Sequence, residues 1–212
     1  MDQSCVARSA ALAIALAALI GMIPPLQNAI GRGEALGSAI WGLMRFFTIL
    51  TNLLVAAVFG WIAMRGRGHI SPLLLGAATL AIVLVGVVFN LVLGQMPQPT
   101  WWDRIGDSLH HHITPLAVPL WWLAFAQRGQ LRWRAAWLWA LYPLTYSVYI
   151  LLRASQEPTG TRGRIPYFFM DWEKLGWSTA IINMAVIAAA FVIAGYGVVA
   201  LDRWLARRAE RG

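Results

Sequence analysis

The chain has 212 residues, of which 59% are apolar and only 12% are charged, and its mean hydropathy is +0.61. These values exclude an ordinary soluble domain and predict a membrane protein. The formal net charge is +8, but the arginines lie at the ends of apolar segments and do not form a face with interleaved aromatic residues, so nucleic-acid binding is not expected. Cys5 is the only cysteine, which excludes an intrachain disulfide.

Six apolar segments, each near the roughly 20 residues that cross a bilayer, predict an all-α bundle of six transmembrane helices. The first segment also resembles a signal peptide, but the five segments that follow favour a retained helix. Because little sequence remains between the segments, we expect a single domain over residues 1–212. In chain order, the predicted spans are 8–30, 38–63, 71–94, 109–127, 133–153 and 177–202.

Arginines are concentrated on one side of this six-span arrangement, and this asymmetry predicts its orientation. Short cytoplasmic loops are enriched in basic residues, so both termini are expected to face the cytoplasm. The arginines of this side are Arg8, Arg65, Arg67, Arg128, Arg132, Arg134, Arg203, Arg207, Arg208 and Arg211.

The second span contains a threonine-asparagine cluster. Polar side chains are costly inside a bilayer, so they indicate a functional site. Helical spacing places Arg45, Thr48 and Asn52 on one stripe, and Thr51 lies beside it as a candidate for a substrate pocket. A structural interpretation stays open, in which the hydroxyls bond to backbone carbonyls and Asn52 links two helices.

The fourth span contains three consecutive histidines, His110, His111 and His112. Neighbouring residues on a helix are separated by about 100°, so the three rings cannot converge on one ion and no metal site is expected. Asp107 lies four residues before His111 on the same face, where its carboxylate can orient the imidazole. Pro115 has no N–H, so the carbonyl of His111 loses its usual helical donor and a local opening of the helix is predicted.

The fifth and sixth spans add candidates for a substrate pocket. Tyr142, Tyr146 and Arg153 share one face of the fifth span, and Asn183 is an isolated polar residue of the sixth. A tyrosine stripe is more often packing or an interfacial belt, and a lone asparagine is more often an interhelical hydrogen bond. No pair of histidines lies on two different spans, so haem is not favoured and no cofactor is expected.

Four segments resemble, in the same order, the bacterial branch of the androgen-induced, FAR-17a-like membrane protein family. They are residues 47–54, residues 111–115, residues 142–149 together with Arg153, and residues 166–171. The segments extend from the second span to the sixth, so the resemblance covers most of the chain. It implies a location in the bacterial inner membrane.

The resemblance also implies an activity. Animal members of the family are threonine hydrolases that cleave fatty acid esters of hydroxy fatty acids with an intramembrane threonine and a histidine. On this sequence the threonine falls on Thr48 and the histidine on His111, with His110 and His112 as alternates. The implied partners are a lipid ester substrate and membrane lipids, without a metal ion or cofactor.

In this interpretation the histidine removes the proton of the threonine hydroxyl as it attacks an ester carbonyl. Asp107 would orient the histidine, and Arg45 or Asn52 would stabilise the oxyanion. Two other classes stay open from the residues alone. A transporter of ions or small molecules would use the polar groups as a pathway, and a structural or signalling membrane protein would use them to link helices.

Overall fold

The computed structural model describes residues 3–93, 99–159 and 163–211, and within these ranges the chain is helical and has no strand. The described helices that are long and apolar enough to cross a membrane are Ser4–Gly31, Phe47–Arg65, Pro72–Leu93, Ala135–Ser155 and Trp177–Ala209. The prediction of an all-α membrane protein is therefore confirmed. The chain divides into two compact units, Met1–Arg128 and Gly129–Gly212. The prediction of a single domain stays a prediction, and each unit is described by itself.

The first unit is built around four helices, α1, α4, α5 and α7, whose facing side chains form its core. Among the described residues of this unit, two π-helical turns interrupt the regular α-helix. The first π turn, Phe89–Leu93, continues α5, and the second π turn, Leu109–Ile113, joins α6 to α7. The helices are α1 Gln3–Ile20, α2 Ile23–Gly31, α3 Leu36–Leu43, α4 Phe47–Arg65, α5 Pro72–Val88, α6 Trp101–Ser108 and α7 Thr114–Phe125.

Helix α1 runs antiparallel to the segment formed by the second π turn and α7. The indole N–H of Trp121 donates to the carbonyl of Ala7 at 2.8 Å, and the Nε2 atom of His110 lies 3.0 Å from the carbonyl oxygen of Ala18. Residues later in α1 therefore contact residues earlier in the segment that ends with α7. These two contacts fix the level of the histidine segment within the core.

The second predicted span, 38–63, is not one helix. Helix α3 ends at Leu43, Phe46 has an extended backbone with φ −89° and ψ 126°, and α4 begins at Phe47. Residues 43–47 contain no glycine or proline, which explains why the sequence pattern missed the break. The first predicted span, 8–30, is likewise divided into α1 and α2, where prolines occupy the first turn of α2.

The fourth predicted span begins earlier than residue 109, because the helical segment starts at Trp101 and continues to Phe125. Its polar first half explains why it is not among the helices apolar enough to cross a membrane by composition. The third predicted span is helical from Pro72 to Leu93, and its last residue, 94, lies outside the described residues.

The second unit contains α8 (Ala135–Ser155), the short α9 (Trp172–Leu175) and α10 (Trp177–Ala209), which extends beyond the predicted end at 202. Helices α8 and α10 are antiparallel. The N–H of Leu131 donates to the Asp202 carboxylate at 3.0 Å before α8 begins, and farther along α8 the indole of Trp137 donates to the Tyr196 hydroxyl at 2.7 Å. The pair forms a hairpin.

Candidate functional site

Helices α4 and α7 run parallel and in register, and this places the two predicted catalytic segments together. The Thr114 hydroxyl donates to Oδ1 of Asn52 at 2.9 Å. Farther along both helices, the rings of Phe59 and Trp121 meet edge to face with centroids 5.2 Å apart. Both helices advance by the same number of residues between the two contacts, so their levels match along this length.

Thr48 lies in the first turn of α4, on the stripe that faces the core. The stripe continues through Asn52, Val55 and Phe59, whose side chains are fully buried. Thr48 itself is partly buried, and its hydroxyl makes no hydrogen bond within the described residues. Thr48 lies four residues before Asn52, and His110 lies four residues before Thr114. Thr48 and His110 are therefore at the same level, about one helical turn from the Asn52–Thr114 contact.

His111 has the environment of an oriented base. Its Nδ1 atom lies 2.9 Å from Oδ1 of Asp107, and the two side chains are 16% and 18% exposed. The ring also stacks on Phe89, with centroids 3.7 Å apart and planes within 5°. A carboxylate only accepts, so Nδ1 carries the proton and the lone pair of a neutral ring is on Nε2. In the described part of the chain, nothing bonds to Nε2.

His110 and His112 point to other partners. His110 is buried, and its Nε2–H donates to the carbonyl of Ala18. Gly21 makes room for this ring, because a Cβ atom at that position would lie 2.4 Å from it. The Nε2 atom of His112 lies 3.2 Å from the side-chain oxygen of Asn90. The three rings therefore diverge, and the ring of His110 is enclosed against α1.

The second π turn results from Pro115 and the threonine before it. Because Pro115 has no N–H, the turn widens, and the Thr114 hydroxyl donates to the carbonyl of Leu109 at 2.9 Å. Gly86 allows α5 to approach at this point, since a Cβ atom there would lie 2.7 Å from the Cβ atom of Pro115 and 3.4 Å from the carbonyl oxygen of His111. The predicted opening at Pro115 is confirmed.

The remaining candidates of the second span have different positions. Arg45 lies in the turn before α4, so the prediction that it shares a helical stripe with Thr48 is wrong. Asn52 donates to the carbonyl of Thr48 at 2.9 Å and accepts from Thr114, which is the contact pattern of a helix link. Thr51 is fully buried in the core.

The candidates of the fifth and sixth spans belong to the second unit. Tyr146 and Arg153 are buried on α8, where a guanidinium N–H of Arg153 donates to the Tyr149 hydroxyl at 2.9 Å. Tyr142 is partly buried on the same helix. Asn183 donates to the carbonyl of Phe169 at 2.9 Å and so holds the segment before α9 against α10. Their role in a substrate pocket stays a prediction.

A capping box fixes the start of α6, and hence the level of Asp107 one turn later. The Thr100 hydroxyl and the Asn28 amide each donate to the Asp103 carboxylate at 2.7 Å, and the Thr100 N–H donates at 3.2 Å. These bonds stabilise the charged form, and the bond from the Thr100 hydroxyl contributes most, so the pKa of Asp103 is below its ordinary value.

Sequence reasoning missed two partners of the histidines. Phe89 stacks on His111, and Thr114 connects the histidine segment to α4. An aromatic residue in an apolar span gives no signal by itself. Thr114 had one, because it is a hydroxyl residue directly before a proline in a predicted membrane helix, where it can replace the missing backbone donor.

Fold and site together define a multi-pass, all-α membrane protein in which a partly buried Asp–His pair and a partly buried threonine lie on neighbouring helical segments. No family model, curated protein or solved structure matches the chain. The resemblance to the androgen-induced family therefore stays a prediction, and the function is inferred from the geometry of the site.

Proposed function

We propose that the protein is an intramembrane hydrolase of lipid esters, with Thr48 as nucleophile, His111 as general base and Asp107 as the residue that orients the base. The observation that carries this proposal is the 2.9 Å contact between Asp107 and His111 one helical turn from the Asn52–Thr114 link. A threonine hydroxyl is a weak nucleophile near neutral pH and needs an adjacent base. The Nε2 atom of His111 has the free lone pair for this role.

The reaction has two steps. The Thr48 oxygen attacks the ester carbonyl while its proton passes to Nε2 of His111, and the collapse of the tetrahedral intermediate transfers that proton to the departing alcohol oxygen. Water then attacks the acyl-threonine ester, again losing a proton to Nε2. When this second intermediate collapses, the proton returns to the Thr48 oxygen and the fatty acid leaves.

Backbone N–H groups of the first turn of α4 can bind the oxyanion. The N–H of Leu50 makes the first intrahelical bond, to the carbonyl of Phe46. The N–H groups of Thr48 and Ile49 precede it, and N–H groups at a helix start are aligned to bind negative charge. Arg45, in the preceding turn, adds positive charge nearby. This arrangement leaves Asn52 as a link between helices.

The six-span arrangement and the orientation belong to the same proposal. The segment from Trp101 to Phe125 is about 37 Å long at 1.5 Å per residue, which is enough to cross a core about 30 Å thick and leaves its polar first turn, with Asp103, outside that core. Counting it gives six spans, and the distribution of arginines then favours cytoplasmic termini and the bacterial inner membrane. A lipid ester would reach Thr48 sideways from the bilayer, with its acyl chains in the apolar surroundings.

One observation favours a second candidate, a non-catalytic membrane protein in which these polar groups link helices. Asn52 and Thr114 are fully buried, and each bonds both to its own helical segment and to the other residue. Such interlocked groups stabilise membrane bundles without chemistry. This candidate explains Asn52 and Thr114 but gives no role to the Asp107–His111 pair.

The test compares Thr48 with Thr79, a buried threonine of α5 whose hydroxyl donates to the carbonyl of Leu75 in its own helix. Purified protein in detergent is incubated with a fatty acid ester of a hydroxy fatty acid, and the released fatty acid is measured by mass spectrometry. Thr48→Ala should abolish turnover. Thr79→Ala removes the same atoms from α5 and should retain turnover at a temperature where both variants are folded. Equal turnover in wild type and Thr48→Ala would refute the proposal.

A further inference from the structure

An arginine cluster lies at the end of the α8–α10 hairpin. It joins two separate segments, the loop before α8 and the last turns of α10. Most of its members are exposed, and Arg203 is partly buried. The members are Arg132, Arg134, Arg203, Arg207, Arg208 and Arg211. The only acidic residues within 129–134 and 202–211 are Asp202, which is buried, and Glu210.

The two basic segments are held together by specific contacts. Asp202, only 1% exposed, accepts the N–H of Leu131 at 3.0 Å. The Arg203 guanidinium lies 5.8 Å from the ring centre of Trp133. Gly129, with φ +74°, allows the loop to approach Ala206, because a Cβ atom there would lie 3.2 Å from the Ala206 methyl group. The cluster is therefore organised before any ligand binds.

An apolar groove runs between α8 and α10 on the membrane-spanning part of the hairpin. It has a volume of about 570 Å³, and its lining includes Leu141, Leu144, Ala189 and Ile193. Closer to the loop, Gly195 brings the helices together, with a Cβ position 3.1 Å from the Cβ atom of Ala136. The volume lies within the range of about 300–1,000 Å³ that holds small organic ligands.

The groove begins next to the cluster, at Trp137, and its far end is about the length of one lipid leaflet away. From Ala189 to Arg203 the distance along α10 is about 21 Å, and from Ile193 it is about 15 Å, at 1.5 Å per residue. Half of a hydrocarbon core is about 15 Å thick. Trp137 lines the end of the groove nearest the cluster and donates to the Tyr196 hydroxyl at 2.7 Å, and such aromatic pairs occur at the headgroup boundary.

We propose that the hairpin binds one anionic phospholipid, with its phosphate at the arginine cluster and an acyl chain in the groove between α8 and α10. Charge complementarity selects the headgroup, because guanidinium groups form paired hydrogen bonds with phosphate. The groove selects a lipid over a free phosphate. This site is independent of the threonine and histidine chemistry.

The test measures binding of phosphatidylglycerol and phosphatidylcholine with identical acyl chains to delipidated protein in detergent, by native mass spectrometry. Wild type should bind phosphatidylglycerol more tightly. Because one arginine near an anionic surface contributes about five-fold in affinity, Arg207→Gln/Arg208→Gln should weaken this binding about 25-fold. The control Arg65→Gln/Arg104→Gln removes the same charge from the first unit and should leave the affinity unchanged.

A second pair of variants tests the groove. Ala189→Phe fills it and should weaken binding of phosphatidylglycerol. Ala190→Phe adds the same ring to an exposed position about 100° around the helix, outside the groove lining, and should not. If the glutamine variants do not fold, the salt dependence of lipid binding to the wild type provides the test. Raising the salt concentration should weaken the binding of phosphatidylglycerol and leave the binding of phosphatidylcholine unchanged.

Three results would overturn the proposal. They are equal affinity of wild type for the two lipids, equal loss in both arginine double variants, and full displacement of phosphatidylglycerol by millimolar inorganic phosphate with no effect of Ala189→Phe. The last would describe a phosphate site without a lipid. None of these results bears on ester hydrolysis, which is measured separately.

Discussion

The histidine region of the first unit and the α8–α10 hairpin of the second differ in where their polar side chains lie. Near Thr48 and His111, polar side chains lie inside the helical core, and most of them bond to a neighbouring helix or to the backbone. In the hairpin, the charged residues lie toward its two ends, with Arg153 near one and the arginine cluster at the other, and the groove between α8 and α10 is apolar. The hairpin therefore follows the ordinary rule for lipid-facing helices, and the histidine region departs from it.

Polar groups within a membrane have a free-energy cost, so their presence in the histidine region requires a structural or functional explanation. The described contacts satisfy Asn52, Thr114 and His110. The hydroxyl of Thr48 and the Nε2 atom of His111 have no such bond within the described residues. These two reactive atoms are the part of the region that structural linking leaves unexplained.

The largest expected effect comes from His111→Ala, which removes the proposed base. A positioned base contributes about 10²–10⁴-fold, so turnover of a lipid ester should fall by that factor. His112→Ala is the matched control, because its ring bonds to Asn90 and should be dispensable for chemistry. Initial rates at a fixed substrate concentration measure the difference. A greater loss in His112→Ala than in His111→Ala would reassign the base.

Gly86→Ala tests the close approach that supports the second π turn. Its Cβ atom would lie 2.7 Å from Pro115, and overpacking of this kind costs about 1–3 kcal/mol. Gly60→Ala is the control, because its Cβ position is open, and replacing a helical glycine there should stabilise by about 0.5–1 kcal/mol. Chemical or thermal unfolding in detergent measures both. Equal stabilities of the two variants would show that the approach at Gly86 is not tight.

The link between α4 and α7 should give a smaller effect. Hydrogen bonds between membrane helices contribute about 0.6 kcal/mol on average and up to about 1.7 kcal/mol. A double-mutant cycle with Asn52→Ala and Thr114→Val, measured by unfolding in detergent, should yield a coupling energy in this range. Additive effects of the two substitutions would mean that the 2.9 Å contact contributes no stability.

The sequence predicted the apolar helices and the Asp107–His111 pairing, because both follow from local spacing. It did not predict the break at Phe46 or the removal of Arg45 from the helical stripe, since residues 43–47 contain no glycine or proline and the apolar pattern continues across them. The sequence also did not predict the stacking of Phe89 on His111, because this contact joins segments that are distant in the chain. Pro115 did signal the opening of the helix, but not the π geometry that follows.

The smallest expected effect is the pH dependence of the capping box of α6. The hydrogen bond from the Thr100 hydroxyl, followed by that from Asn28, lowers the pKa of Asp103 below its ordinary value of 3.8. Its contribution to stability is therefore present above 3.8 and is lost as pH falls through the lower folded value. Asp103→Asn should unfold at a lower temperature than wild type at pH 6, and the difference should shrink below pH 3.8. A difference that is constant with pH would contradict this reading.

The most direct test of the central claim is the position of a covalent adduct. An alkyl fluorophosphonate traps an activated hydroxyl nucleophile, and peptide mass spectrometry locates the modified residue. We predict a single adduct on Thr48 in wild type, absent in Thr48→Ala and strongly reduced in His111→Ala. Folded wild-type protein that stays unmodified while a control hydrolase reacts, or an adduct on another residue that persists in Thr48→Ala, would contradict the claim.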